Sequence, residues 1–155
     1  MNEVLEIYTD GASRGNPGPG GFGIVLLWKG VRKELGAGYR KTTNNRMELL
    51  AVIVALESLT RNDMLIRVYT DSKYVVDAIE KKWVLGWMKI GFKNKKNEDL
   101  WRRFMAIYTK HQVQFIWVKG HANNRENNRC DEIATACADG TDLRIDDGFE
   151  SGRYN

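Results

Sequence analysis

From Leu49 to Leu56 the chain reads Leu-Leu-Ala-Val-Ile-Val-Ala-Leu, led in by Arg46-Met47-Glu48. Asn44 or Asn45 can cap a helix here that reaches about residue 60. A helix apolar nearly all round has no face suited to water, so it should be central and buried. The apolar run is far too short to span a bilayer, which takes roughly 20 residues.

The pattern on either side says what could surround that helix. Residues 3–9 alternate as a strand, 21–28 read as a second, Lys29-Gly30 can turn, and 31–39 can return as a third. After the central helix, residues 66–70 form a β-branched strand and 72–82 a helix. A helix near 99–108, a strand over 113–118 and a helix near 128–138 follow. An antiparallel meander followed by alternating helix and strand predicts an α/β fold with a mixed sheet and helical layers. At 155 residues one domain is the simplest arrangement. Residues 139–155 carry Asp142, Asp146, Asp147 and Glu150 among glycines with little periodicity, and read as a C-terminal tail open to disorder. Met-Asn-Glu-Val at the start lacks the basic flank and apolar core of a signal peptide, so a cytoplasmic protein is expected. Cys130 and Cys137 lie two helical turns apart, about 10 Å, and are expected as unpaired core thiols.

Two fragments echo one another. Ile7-Tyr8-Thr9-Asp10 and Val68-Tyr69-Thr70-Asp71 each run β-branched, Tyr, Thr, Asp to the end of a predicted strand. If those strands are parallel neighbours in register, both carboxylates reach one sheet edge about 4.8 Å apart. Anions so close repel, and either one takes a proton or a cation sits between them. Each acid also has a local explanation. Asp10 before Gly11 could be a turn residue and Asp71 before Ser72 a helix cap. Glu48, three residues after Asn45, could complete a capping arrangement, and Asp131 could be a first-turn acid favouring the helix dipole. Composition and spacing alone do not choose between these readings and a four-carboxylate site.

Four longer motifs bear on the choice: TDGASRGNPGPGGFG at 9–23, TTNNRMEL at 42–49, TDSKYV at 70–75 and VKGHANNRENNRCDEIA at 118–134. In order and spacing they resemble the type 1 ribonucleases H, over about residues 1–138. The resemblance implies a ribonuclease H-like fold, a five-stranded mixed sheet whose first three strands are antiparallel, with helices on both faces. It places the family's metal-binding and catalytic carboxylates on Asp10, Glu48, Asp71 and Asp131, and its loop histidine on His121. The implied reaction is endonucleolytic hydrolysis of the RNA strand of RNA·DNA hybrids, leaving 3′-hydroxyl and 5′-phosphate ends, with little sequence preference. Its implied work is removal of primers and stray hybrids. Carboxylate oxygens without clustered cysteine or histidine suit Mg²⁺, two ions with substrate, and Mn²⁺ could substitute. His121 could relay a proton or help product release, or simply cap a strand. Many bacterial relatives have a second histidine where this chain has Asn124.

The same resemblance assigns hybrid contacts to Ser13, Asn16, Asn44, Asn45 and Lys73, and a DNA-phosphate contact to Thr43 and Asn97. The glycines of residues 11–21 would permit close approach and unusual backbone angles, while Pro17 and Pro19 would stiffen a loop that can bring backbone close to the substrate. Between Glu80 and Glu98 stand six lysines and no acid, interleaved with Trp83, Trp87 and Phe92. That pattern suits either a solvated basic face or phosphate binding. The family's basic protrusion occupies this interval, about 81–97, so Trp83, Trp87, Lys89, Lys93, Lys95 and Lys96 are expected to meet the DNA strand. Trp28 and Trp117, in predicted strands, are expected in the core. The rival readings are a non-cleaving hybrid-binding module of the same fold, and a junction resolvase or integrase of the wider fold. A membrane partner is not expected, and a monomer is the default.

Overall fold

The computed structural model describes residues 4–119 and 124–155. Strands β1 (Val4–Ser13), β2 (Gly18–Trp28) and β3 (Val31–Thr42) form the expected antiparallel meander, with Lys29 and Gly30 at positive φ between the last two. Helix α1 (Asn44–Glu57) leads to β4 (Leu65–Thr70), then α2 (Lys73–Glu80), α3 (Trp83–Lys89) and α4 (Glu98–Tyr108). Strand β5 (Gln112–Trp117), α5 (Arg125–Asp139), β6 (Leu143–Arg144) and α6 (Asp147–Glu150) complete the chain. The sheet order is β5-β4-β1-β2-β3-β6, with β4 parallel to both β1 and β5. The sheet therefore has six strands where five were expected, because the short β6 adds parallel to the outer edge of β3. No helix among the described residues is long and apolar enough to cross a membrane.

Helix α1 is buried continuously from Arg46 to Ile53, as its all-round apolarity requires. Its cap is Thr43 rather than Asn44 or Asn45: the Thr43 hydroxyl accepts from the Arg46 N–H at 3.3 Å. Asn44 and Asn45 occupy the exposed first turn with their side chains clear of capping.

Side chains alternate along a strand, so β2 offers two different faces. Phe22 and Ile24 join the apolar core with residues of α1 and α4. On the other face Gly23 pairs with Gly36 of β3, and a Cβ at Gly23 would run into the Cys130 backbone of α5. Absence of side chains there lets α5 lie directly on the sheet. The glycine-rich stretch is thus only partly a loop: β2 begins at Gly18, and of the glycines between Gly11 and Gly21 only Gly15, at φ 86°, needs a left-handed backbone.

Residues 139–155, expected as a loose tail, are folded onto the domain. Asp139 pairs with Arg14 at 2.6 Å, Glu150 with Arg40 at 2.7 Å, and Asp146 with the buried Arg46 at 2.8 Å. Each acid has its own arginine a hundred or more positions earlier, a pattern no local periodicity can reveal.

Candidate active site

Strands β1 and β4 are parallel neighbours, and their register sets Ile7 opposite Val68 and Tyr8 opposite Tyr69. The two tyrosine rings stack at 4.5 Å and 11°, which pins that register. Continued along both strands, it carries Asp10 and Asp71 to the same sheet edge. Glu48 joins them from α1, because β1 and α1 meet at Gly11, where a Cβ would strike the backbone of Met47 and Glu48. One carboxylate oxygen from each of Asp10, Glu48 and Asp71 lies within 4.8 Å of the other two.

The local explanations for these acids give way. Ser72, not Asp71, caps α2, accepting from the Val75 N–H at 3.2 Å. Glu48 completes no capping box; its Oε1 accepts from the Gly11 N–H, which also donates to Asp10 Oδ1 at 2.9 Å. Helix α5 begins at Arg125, capped by Asn124, whose side chain accepts from the Asn127 N–H at 3.0 Å. Asp131 therefore sits in the second turn, beyond the reach of a first-turn dipole effect. It is exposed and stands outside the 4.8 Å group, yet its charge acts on Asp10. His121 lies outside the described residues.

Asp10 and Glu48 are 8% and 6% exposed. Burial, with the negative charges of Asp71 and Asp131 adding to it, pushes the Asp10 carboxyl up to about 7 despite a hydrogen bond with Glu48. Burial and then the charge of Asp10 raise the Glu48 carboxyl well above its usual range. The groups acting most strongly on this pair are other carboxylates and one backbone N–H; none is a cation. A buried carboxylate group without a cation fits a divalent metal, and its all-oxygen donors suit a hard one.

The expected substrate contacts fall into two places. Asn16, Thr43, Asn45, Lys96 and Asn97 line one cavity of about 230 Å³. Asn16 also anchors the entry to α1, its Oδ1 accepting from the Asn44 N–H at 3.1 Å. Ser13 ends β1 half-buried, and Lys73 opens α2. On the protrusion Lys89, Lys93, Lys95 and Lys96 are exposed, as is Trp83, with Lys81 Nζ 5.2 Å from its ring. Trp87 divides its ring between Trp101, edge-on at 5.8 Å, and Lys95 Nζ at 5.5 Å. The protrusion is thus a basic surface on an aromatic footing.

Trp28 packs half-buried against the core, as expected. Trp117 does not: it is 42% exposed, with Lys73 Nζ 4.3 Å above its ring and its Nε1 donating to the Asp71 carbonyl at 3.3 Å. The β5 strand leaves its last residue at the sheet's open end beside Asp71, a location that propensity does not encode. Arg46 was also missed. Its signal was a single guanidinium at the mouth of an apolar helix, which must find acids when buried.

The sequence model of the RNase H family matches residues 2–139. The chain belongs to the ribonuclease H family. It is 54% identical over 147 residues to the ribonuclease H of Desulforamulus reducens, covering 92% of each chain. It is 50% identical to that of Trichodesmium erythraeum, over 94% of this chain and 96% of the relative. Among solved structures, LC9-RNase H1, described as a type 1 RNase H with the type 2 active-site motif, superposes with a TM-score of 0.78 at 28% identity. That match covers all of this chain and 82% of the other. LC11-RNase H1, solved in complex with an RNA/DNA hybrid, superposes with a TM-score of 0.65 at 29% identity, over 87% of this chain and 96% of the other.

Proposed function

We propose that the chain is an endonuclease that hydrolyses the RNA strand of RNA·DNA hybrids, removing primers and stray hybrids with little sequence preference. The observation that carries this is the convergence of Asp10, Glu48 and Asp71 within 4.8 Å, at a parallel-strand edge of a ribonuclease H family chain. Asp10, Glu48, Asp71 and Asp131 would hold two Mg²⁺ ions, with Mn²⁺ as a substitute. Ions held there would supply charge neutralisation for the phosphate, a more acidic attacking water and stabilisation of the leaving 3′ oxygen. The residues do the rest. Asp131, exposed on α5, leaves one side of the site open to water and phosphate. His121 takes or relays a proton, and Asn124, engaged in capping α5, plays no part in a two-histidine relay.

Asn44 and Asn45 stand exposed at the first turn of α1 because Thr43 has taken the capping role. Their amides can both donate to and accept from 2′-hydroxyls and base edges, which favours RNA without reading sequence. The lysines of the protrusion neutralise DNA-strand phosphates, with Trp83 and Trp87 against the sugars. The enzyme acts as a monomer in the cytoplasm.

The deciding experiment presents one labelled strand as RNA·DNA, RNA·RNA, DNA·DNA and single-stranded RNA, each with Mg²⁺ and with chelator. Cutting confined to RNA in the hybrid, and lost with chelator, is the expected result. Binding without cutting would favour a non-catalytic module, and cutting of duplex DNA would favour a resolvase-like nuclease.

A further inference from the structure

The 230 Å³ cavity that collects Thr43, Asn45, Lys96 and Asn97 is closed on another side by Phe149 and Asn155. Its lining side chains offer an ammonium, a hydroxyl and amides, and none is acidic. That donor set fits one backbone phosphodiester. Phe149 and Asn155 belong to a segment that local sequence gives no reason to place in a binding site.

The segment also holds one of the binding residues. The Asn97 N–H donates to the Tyr154 carbonyl at 2.9 Å. The Asn97 side chain donates to Tyr74 Oη at 3.0 Å and accepts from Arg46 at 3.3 Å. With its backbone at a left-handed φ of 67°, Asn97 depends on such partners to stay in place. Arg46 completes the circuit. It is 1% exposed, and its N–H groups go to Asn97, to both oxygens of Asp99 at 2.9 and 2.7 Å, and to both oxygens of Asp146 at 2.8 and 2.9 Å. Asp146 Oδ1 in turn accepts from the Phe149 N–H at 3.2 Å, and Asn155 Nδ2 donates to the Phe149 carbonyl at 3.1 Å. One set of hydrogen bonds therefore runs from the cavity's polar wall, through Arg46 and Asp146, to its C-terminal wall.

We propose that residues 146–155 are a working part of the nucleic-acid site: they wall the pocket that takes a backbone phosphate and lock Asn97 in place. This rests on the hybrid-binding reading above. Docking of the segment and binding of the duplex are then linked, and each strengthens the other by the same factor. The segment is a positioning element, with no contact to the reacting phosphate.

The test uses the full chain, with Phe149→Ala and Asn155→Ala combined. Affinity for an RNA·DNA duplex is measured in an Asp10→Asn background, where nothing is cut, and KM and kcat in the otherwise native chain. Expected are a dissociation constant and KM raised about 10-fold, the worth of roughly one hydrogen bond to a charged group, with kcat within about twofold. A lower melting temperature with unchanged affinity and KM would make the segment purely structural and overturn the proposal. Amide exchange on the Asp10→Asn chain, its C-terminal segment unaltered, supplies a second reading that needs no variant at the pocket. Added hybrid should slow exchange at Asn97 and over 149–155, and absence of protection there alone would also overturn the proposal. If the Asp10→Asn chain with its C-terminal segment intact binds no hybrid, the functional reading itself fails, and that result precedes any change to the segment.

Discussion

Two buried polar clusters begin two residues apart on the first turns of α1, and they follow opposite electrostatic plans. Arg46 faces two carboxylates and an amide that take up its N–H groups, so its charge is matched as fully as geometry allows. Glu48 faces Asp10 and Asp71 with a single backbone N–H in support, so its charge is opposed. The first cluster ties α1, α4 and the C-terminal segment together. The second is a standing repulsion that the fold tolerates because strand register and the Gly11 contact hold it in place. Matched charges mark a structural joint, and unmatched ones mark a site that expects a cation.

Substitutions that alter the two clusters should part activity from stability. Asp10→Asn removes one opposed charge and one metal oxygen. Cleavage of the hybrid should fall by at least about 10³-fold, since metal stabilisation of a phosphoryl transition state is worth several kcal/mol. Hybrid binding should survive, and the melting temperature without metal should rise by a few degrees. Undiminished turnover in that variant would sink the metal-site assignment. Arg46→Met acts the other way, leaving Asp146 and Asp99 without their cation. Chemical denaturation should register a loss of about 3–5 kcal/mol, whereas a loss below about 1 kcal/mol would show that the joint is not where the C-terminal segment is held.

Acid should weaken the matched cluster in a set direction. Burial alone would raise the Asp146 carboxyl, but its bonds to Arg46 and Thr42 hold it below the ordinary range. A native pKa below the unfolded value, about 3.9, contributes stability that is in place above that pH and drains as pH falls through the native pKa. The melting-temperature advantage of the native chain over Asp146→Asn should therefore be full near neutrality and shrink below about pH 4. An advantage that stays constant into strong acid would exclude the ion pair as its source.

The smallest effect concerns neither cluster. Neutralising Lys93, Lys95 and Lys96 together should raise KM about 10-fold, leave kcat less affected, and flatten the logarithmic salt dependence of binding by about 2–3 units of slope. A fall in kcat at constant KM would remove the protrusion from the binding surface.

Legibility from sequence followed the range of the physics involved. The meander, the central helix and the parallel pairing that sets Asp10 level with Asp71 were readable from alternation, all-round apolarity and the Tyr-Thr-Asp echo, although β1 runs past Asp10 to Ser13 instead of ending there. The three carboxylates that cluster, Asp10, Glu48 and Asp71, all lie within the motifs that carry the family resemblance. Two local choices went elsewhere: Thr43 took the cap expected of Asn44 or Asn45, and Trp117 stands exposed on Asp71 and Lys73 instead of entering the core. Both outcomes depend on neighbours that are distant in the chain.

The amino-acid order by itself determined the main elements and the faces they bury, because these follow from periods of two and 3.6 residues, while the acids were marked by the Tyr-Thr-Asp echo and the motif resemblance. Only the tertiary structure decided that residues 139–155 are folded, that they add a sixth strand, and that they close a polar cavity beside Asn97. The reason is physical. Those acids and amides carry no periodic signal, and what they stabilise is set by arginines and backbone groups that the chain brings beside them only once the sheet and α1 are in place.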